Sequence, residues 1–270
     1  MNIFSESKEL GFFMLIEFRK NRLSWRAALF SIIASFLICI FSAQKLNAAS
    51  EIIEDFTSPV TTDAKWVLLG GTIATVGVLA LHNDVDDRIQ RNFSRNKPLG
   101  KYSKYGDLAG QVIPNAAYAV GMALDGLIGH HDESMNNALL MTKSTAYSAL
   151  VTTALKYSVR EPRPNDSNNR VSFPSGHATT AFAFASTVAA IHEWYWGIPA
   201  YALGVFVGLS RINDNQHWLH DVLAGATIGT SYGLGTYYRK TGKGLSTATS
   251  FEFVPIDAFS GFAMNYSCSW

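Results

Sequence analysis

Residues 159–180 read VREPRPNDSNNRVSFPSGHATT. The first two thirds are dense in Pro, Asn and Arg, the composition of a connecting loop. At Gly176 the sequence turns to small and apolar residues, and from there a helix is expected over 176–194. Ser175 stands where a helix cap belongs. Working outward, five further segments read as helices: 65–82, 109–129, 136–158, 197–210 and 218–238. Each is rich in Ala, Leu, Val and small residues, with turn or charge clusters between them. The stretch 83–108 is polar and basic and reads as a linker. An all-α, six-helix bundle is the expected fold.

The end of the chain breaks this pattern. Phe251 and Phe253 alternate with polar residues, as do Phe262, Met264, Tyr266, Cys268 and Trp270. Period-2 alternation on both sides of Pro255-Ile256-Asp257 predicts a short β-hairpin. The expected division is therefore 1–48, 49–245 and 246–270: an N-terminal segment, a helical domain and a hairpin extension.

The chain is 48% hydrophobic and 16% charged, which excludes a disordered protein. A formal net charge of +1 excludes a nucleic-acid binder driven by bulk charge. Two cysteines cannot make a disulfide scaffold. Mean hydropathy is +0.08, high for a soluble protein and low for one that crosses a bilayer many times.

Residues 27–42, AALFSIIASFLICIFS, form an uncharged apolar run. Arg19, Lys20, Arg22 and Arg26 precede it and small residues follow, as in a secretory signal. Cleavage near Ala48 is expected, with an uncleaved anchor as the alternative. The expected location is the periplasm or cell envelope, with an integral membrane protein as runner-up. The helices look poor as bilayer spans, since Lys143 and several hydroxyl residues interrupt 136–158. A bundle that rests on a membrane surface is favoured over one that threads it.

Three clusters carry chemistry. They are Lys156-x6-Arg163-Pro164, Pro174-Ser175-Gly176-His177 and Ser210-Arg211-x5-His217-x3-Asp221. Each alone is ordinary surface charge, a capped turn or a helix-surface pair. In an antiparallel bundle with short connections, however, all three fall at one end. Lys156, Arg163 and Arg211 supply three cations, and Arg matches phosphate oxygens with a planar fork. Ser175-Gly176 opens a helix, where backbone N–H groups and the helix dipole favour an anion. His217 and Asp221 are four apart and share a face. The carboxylate can hold one ring nitrogen and leave the other as nucleophile. His177 can protonate a leaving oxygen from the other side.

With these residues the sequence resembles the type 2 phosphatidic acid phosphatase family, which includes acid phosphatases, lipid phosphatases and vanadium haloperoxidases. The resemblance covers about residues 64–240 and implies that family's six-helix core. It implies that His217 attacks phosphorus to give a phosphohistidine, Asp221 orients His217, and His177 donates the leaving-group proton. Lys156, Arg163, Ser175, Gly176 and Arg211 would hold the equatorial oxygens. No metal or cofactor is implied in the phosphatase branch. The expected partners are a phosphorylated lipid, or a small phosphate ester, and a membrane surface. The rival readings are an acid phosphatase for soluble esters, a vanadate-dependent haloperoxidase and a structural envelope protein.

Asp214 lies inside the third cluster, where it could modulate Arg211. His220 is as well placed to face the site as to avoid it. Asp125 and Lys143 interrupt two helices and could pair with each other.

Overall fold

The structure is a computed structural model that describes residues 47–81, 85–165, 168–192, 194–242, 250–257 and 261–267. Of the expected signal segment, 1–48, residues 1–46 lie outside the described residues, and Asn47 and Ala48 open the first described helix. The described helices are α1 (Asn47–Thr61), α2 (Ala64–Ala80), α3 (Asp87–Asn96), α4 (Ser103–Ala109), α5 (Ile113–Gly129), α6 (Asp132–Val159), α7 (Gly176–Ile191), α8 (Trp194–Asn213) and α9 (Leu219–Thr241). Strands β1 (Ser250–Asp257) and β2 (Gly261–Ser267) pair antiparallel, with Phe251 opposite Tyr266 and Phe253 opposite Met264. Pro255 and Asp257, expected at the turn, belong to β1, where the register shifts.

The six expected helices correspond to α2 and α5–α9, so the all-α bundle is the fold. The stretch 83–108 is not a plain linker: it holds α3, a 3-10 turn at Gly100–Tyr102 and α4. Its polar composition hid these short helices, because the apolar part of α3 is only Ile89 and Phe93, which pack against Ala178, Ile212 and Val222, and the rest docks through hydrogen bonds and close packing. Gln90 Nε2 donates to Ile212 O at 3.1 Å and to Asn215 Oδ1 at 2.7 Å. Leu99 N donates to Asn213 Oδ1 at 3.1 Å. These three bonds pin the segment to the end of α8 and the residues just after it.

Helix ends follow local chemistry. The long α6 begins with Asp132 and Glu133 and ends with Lys156, charges that complement its dipole. Ser175 Oγ accepts from Ala178 N and caps α7. At α9 the Asp221 carboxylate reaches back to Trp218 N at 2.9 Å.

Glycines bring α9 onto α7. A Cβ at Gly225 would lie 2.4 Å from the Ser175 carbonyl oxygen, and one at Gly229 would lie 2.3 Å from that of Thr179. Gly233 continues the row one turn on, against Ser186. Without side chains at these positions the two backbones touch. The site residues at the start of α7 and α9 are adjacent for that reason.

The interior is small and polar. Ser144 and Thr187 share a 2.9 Å hydrogen bond, as do Thr152 and Thr179. Asn115 Nδ2 donates to Thr145 Oγ1 at 2.8 Å. Met141, Ala185, Val188 and Ala200 make one of the modest apolar clusters. Lys143 pairs with Asp55 of α1 at 2.7 Å, and Arg239 meets the same carboxylate. Asp125 instead meets His131 and Ser134 near the surface, so the expected Asp125–Lys143 pairing does not form.

The exterior is apolar. On α2, Trp66, Leu69, Ile73 and Val76 are exposed; on α5, Leu124, Leu127 and Ile128; on α8, Trp194, Trp196 and Ile198. Ile128 is 78% exposed and Trp194 72%. Aliphatic and aromatic surface on three helices is of the kind found where a protein meets another apolar surface. No single described helix is long and apolar enough to cross a membrane. Ser50–Thr61 with Ala64–Ala80, and Gly100–Ala109 with Ile113–Gly129, have the length and composition only as bent pairs.

Gly229→Val should destabilise the protein by about 1–3 kcal/mol, as overpacking a close contact does. Gly77→Ala, with nothing within 4 Å of the new methyl, should be neutral or slightly stabilising. Thermal melts of both variants in detergent check the contrast.

Candidate active site

The antiparallel run of α6 to α9 brings the C-terminal ends of α6 and α8 together with the N-terminal ends of α7 and α9. The link between α7 and α9 is direct: Ser175 N donates to Asp221 O at 3.0 Å. All eight residues expected from the sequence lie at this end of the bundle.

His217 precedes α9 and is 2% exposed. Its Nδ1 lies 3.4 Å from Asp221 Oδ2. That same oxygen accepts from Ser172 Oγ at 2.5 Å and Trp218 N at 2.9 Å. The carboxylate is thus fixed by two donors with the imidazole beside it. Nδ1 faces Asp221, which leaves Nε2 as the reactive nitrogen. Burial holds the His217 pKa down at about 4, outweighing the carboxylate's opposing pull. The ring is therefore neutral at pH 7, as a nucleophile must be.

The cations surround this ring. Lys156 Nζ donates to Val171 O at 2.8 Å and approaches Ser172 O at 3.4 Å. Burial lowers its pKa to about 8, against the attraction of Asp221. Arg163 donates to Gln216 Oε1 and Arg211 to Asp107 Oδ1. Burial and the neighbouring Arg211 both push the Arg163 pKa down. The Nε atoms of Arg163 and Arg211 are buried without a hydrogen-bond partner. The buried Arg211 and the half-buried Arg163 thus each keep a donor that an anion can take.

The start of α7 adds backbone donors. Ser175 gives its hydroxyl to the cap and its N–H to Asp221, while Gly176 and His177 occupy the first turn, whose N–H groups have no partner within the helix. A side chain at Gly176 would meet Lys156 Cε at 3.7 Å. His177 Nε2 lies 3.3 Å from Asp107 Oδ1. Burial, then the Arg211 charge, lowers the His177 pKa to about 4. A phosphate bound among these cations brings negative charge and raises it. An adjoining cleft of about 480 Å³ runs past Val112, Ile113, Ala149 and Thr153 to Lys156, Gly176 and His177.

Sequence reasoning missed Asp107 and Asp86, both in the supposed linker. Asp107 is on α4, where Gly106 and Gly110 pack directly against Ser210 and His177. It bridges Arg211 and His177, the role considered for Asp214, which instead accepts from Asn213 Nδ2 at 3.0 Å. Asp86 meets His220, which is fully buried on the far side of Asp221 from His217. The signal in the sequence was the acidic cluster of Asp84, Asp86 and Asp87 in an otherwise basic stretch.

Glu161, His220 and Asp221 hold donor atoms within 4.8 Å of one another, the grouping of metal-ligand type among the described residues. His220 meets a carboxylate with each ring nitrogen, at Asp86 and Glu161. While those bonds stand, the ring has no lone pair to offer an ion.

Residues 137–244 match the model of the PAP2 superfamily. Lipid A 1-phosphatase from Porphyromonas gingivalis is 31% identical over 169 residues, 60% of this chain and 36% of its own length. Lipid A 1-phosphatase from Rhizobium johnstonii is 35% identical over 65 residues, 24% of this chain and 26% of its own. The chain thus spans about a third and a quarter of these relatives' lengths. The crystal structure of a transmembrane PAP2 type phosphatidylglycerolphosphate phosphatase from Bacillus subtilis superposes with a TM-score of 0.54 at 21% identity, over 69% of this chain and 98% of that one. At that identity the likeness is one of fold. The eight residues sit at one end of a helical bundle of this type, and all of them, from Lys156 to Asp221, fall within residues 137–244, the part of the chain that is similar to the PAP2 superfamily.

Proposed function

We propose that this protein is a lipid phosphatase that removes a phosphomonoester group through a phosphohistidine on His217. The observation that carries the reading is the convergence of a buried neutral imidazole, its fixed carboxylate and two guanidinium groups with unused donors. The apolar exterior of α2, α5 and α8 supports a lipid substrate, because a surface of that kind keeps the protein against acyl chains. The curated relatives are named lipid A 1-phosphatases, which makes a lipid A phosphate the first substrate to try.

In this reading His217 Nε2 attacks phosphorus opposite the leaving oxygen. The N–P bond forms as the P–O bond breaks. His177, protonated once phosphate is bound, gives its proton to the leaving oxygen. Lys156, Arg163, Arg211 and the backbone at Gly176 carry the charge that spreads over the equatorial oxygens. Asp221 stabilises the cationic ring that results. Water then attacks phosphorus, His177 takes its proton, and phosphate leaves with His217 restored. The cleft beside His177 gives the leaving group its space. The N-terminal segment supports an exported protein with its site outside the cytoplasm, through its basic lead and apolar run.

His217→Ala should lose about 10⁴-fold or more in kcat. Radiolabelled phosphate trapped by a rapid alkaline quench should mark wild type and not the variant, and the label should be lost in acid. Phosphate release from lipid A, phosphatidic acid and p-nitrophenyl phosphate in mixed micelles tests the substrate class; a preference for the soluble ester would sink the lipid assignment. His177→Asn should lose about 10²–10⁴-fold on a lipid phosphate. It should lose far less on p-nitrophenyl phosphate, whose leaving group needs no proton.

The kcat/KM profile should fall on both sides. His217 has a lowered pKa, so the nucleophile is present above about 4 and lost as pH drops through it. Lys156 is charged below about 8 and loses its cation as pH rises through that value. Lys156→Arg keeps its charge throughout and should remove the part of the alkaline fall that Lys156 sets, leaving the part set by deprotonation of His177.

A further inference from the structure

His220 lies in none of the three clusters, yet it is fully buried beside the nucleophile's carboxylate. The charged groups that face it come from three parts of the chain. Asp86, just before α3, meets Nδ1. Glu161, on the α6–α7 loop, meets Nε2 at 3.0 and 3.1 Å through its two oxygens. Asp221, on its own helix, places Oδ1 3.5 Å from Nε2. The Phe173 ring stacks on it at 6.0 Å.

A neutral imidazole has one N–H and one lone pair. With a carboxylate at each nitrogen, a neutral ring would turn its lone pair against a negative charge. Only the imidazolium donates to both. Its burial would be expensive alone but is offset here by three carboxylates. Burial by itself would lower its pKa; the bonds to Asp86 and Glu161 and the charges of Asp221 and Glu161 reverse this and raise it to about 10.

Each partner leads to the site. Asp221 Oδ1 has no hydrogen bond of its own, so the His220 cation is what steadies that side of the carboxylate. Asp86 Oδ1 accepts from Leu219 N at 2.9 Å and fixes the first turn of α9. Glu161 is two residues before Arg163, and its carbonyl accepts from Ser172 N at 3.0 Å. Ser172 in turn holds Asp221 Oδ2.

We propose that His220 is a positioning residue, a buried imidazolium that clamps Asp86, Glu161 and Asp221 and thereby holds the carboxylate behind His217 and the loop that carries Arg163. The proposal rests on the reading of His217 as nucleophile only for its effect on rate; the protonation of His220 stands apart from it.

Two measurements on the full chain in detergent test the clamp. The first is a ¹⁵N-histidine NMR spectrum assigned with His220→Gln. One ring should keep both nitrogens protonated from pH 6 to pH 8, and its signals should vanish in the variant. The second is kinetics on p-nitrophenyl phosphate. His220→Gln should lower kcat roughly 10- to 100-fold, the size typical of residues that orient a working histidine, with KM within about twofold. Glu161→Gln is half-buried and tolerant of change, and should show a smaller kcat loss of the same kind. A neutral His220 ring at pH 7 overturns the clamp. So does wild-type kcat in both variants, or a loss that follows only the unfolded fraction in melts. If wild type forms no phosphohistidine while the imidazolium signal is present, the mechanism fails and the clamp survives.

Discussion

A carboxylate sealed from water must be met by donors or cations, and Asp221 collects them from separate parts of the chain. Ser172 comes from the α6–α7 loop, Trp218 N from the turn before α9, and His217 and His220 stand on either side. The peptide oxygen of the same residue takes Ser175 N. The cost of burying this charge unpaired is several kcal/mol, so its partners cannot drift apart without penalty. The order of the site follows from that constraint. The nucleophile, the cap of α7 and the loop that bears Arg163 are all held through one residue.

The bundle around it is built for close approach more than for apolar burial. Gly225 and Gly229 let α9 lie on the α7 backbone, and the hydroxyls of Ser144, Thr152, Thr179 and Thr187 satisfy one another inside. The large apolar side chains of α2, α5 and α8 point outward instead. In a lipid environment such a chain loses nothing by exposing Leu and Ile, while helices gain from small residues at their contacts. This distribution also accounts for the intermediate mean hydropathy. The interior is less apolar than a soluble core, and the surface more so. Ser144, Thr145 and Ser148, which interrupt the apolar run of α6, are buried.

Positive charge is balanced by acids that the chain brings from elsewhere. Asp107 stands between Arg211 and His177, and Asp86 and Glu161 flank His220. These carboxylates keep buried cations compatible with folding. Asp107 is half-exposed and can yield its place beside Arg211 to a phosphate oxygen, whereas Asp86 is fully buried and serves only the scaffold.

Helix periodicity and short connections were enough to read the bundle and to place Lys156, Arg163, Ser175, Gly176, Arg211, His177, His217 and Asp221 at one end of it. The i,i+4 spacing of His217 and Asp221 and the Ser-Gly opening of α7 are local relations, and local geometry carries them from sequence to structure. Asp86 and Asp107 were not legible in the same way. Their partners, His220 and Arg211, lie more than a hundred residues further along the chain, and no spacing rule reaches across that distance. The short helices α3 and α4 likewise form because they dock on the end of α8, not because their own residues demand it. Local sequence was enough for the helices and for the set of basic residues and histidines gathered at one end of them. Only the tertiary structure decided which carboxylates neutralise that set and which faces of the helices turn outward, because both depend on contacts between segments that are remote in the chain.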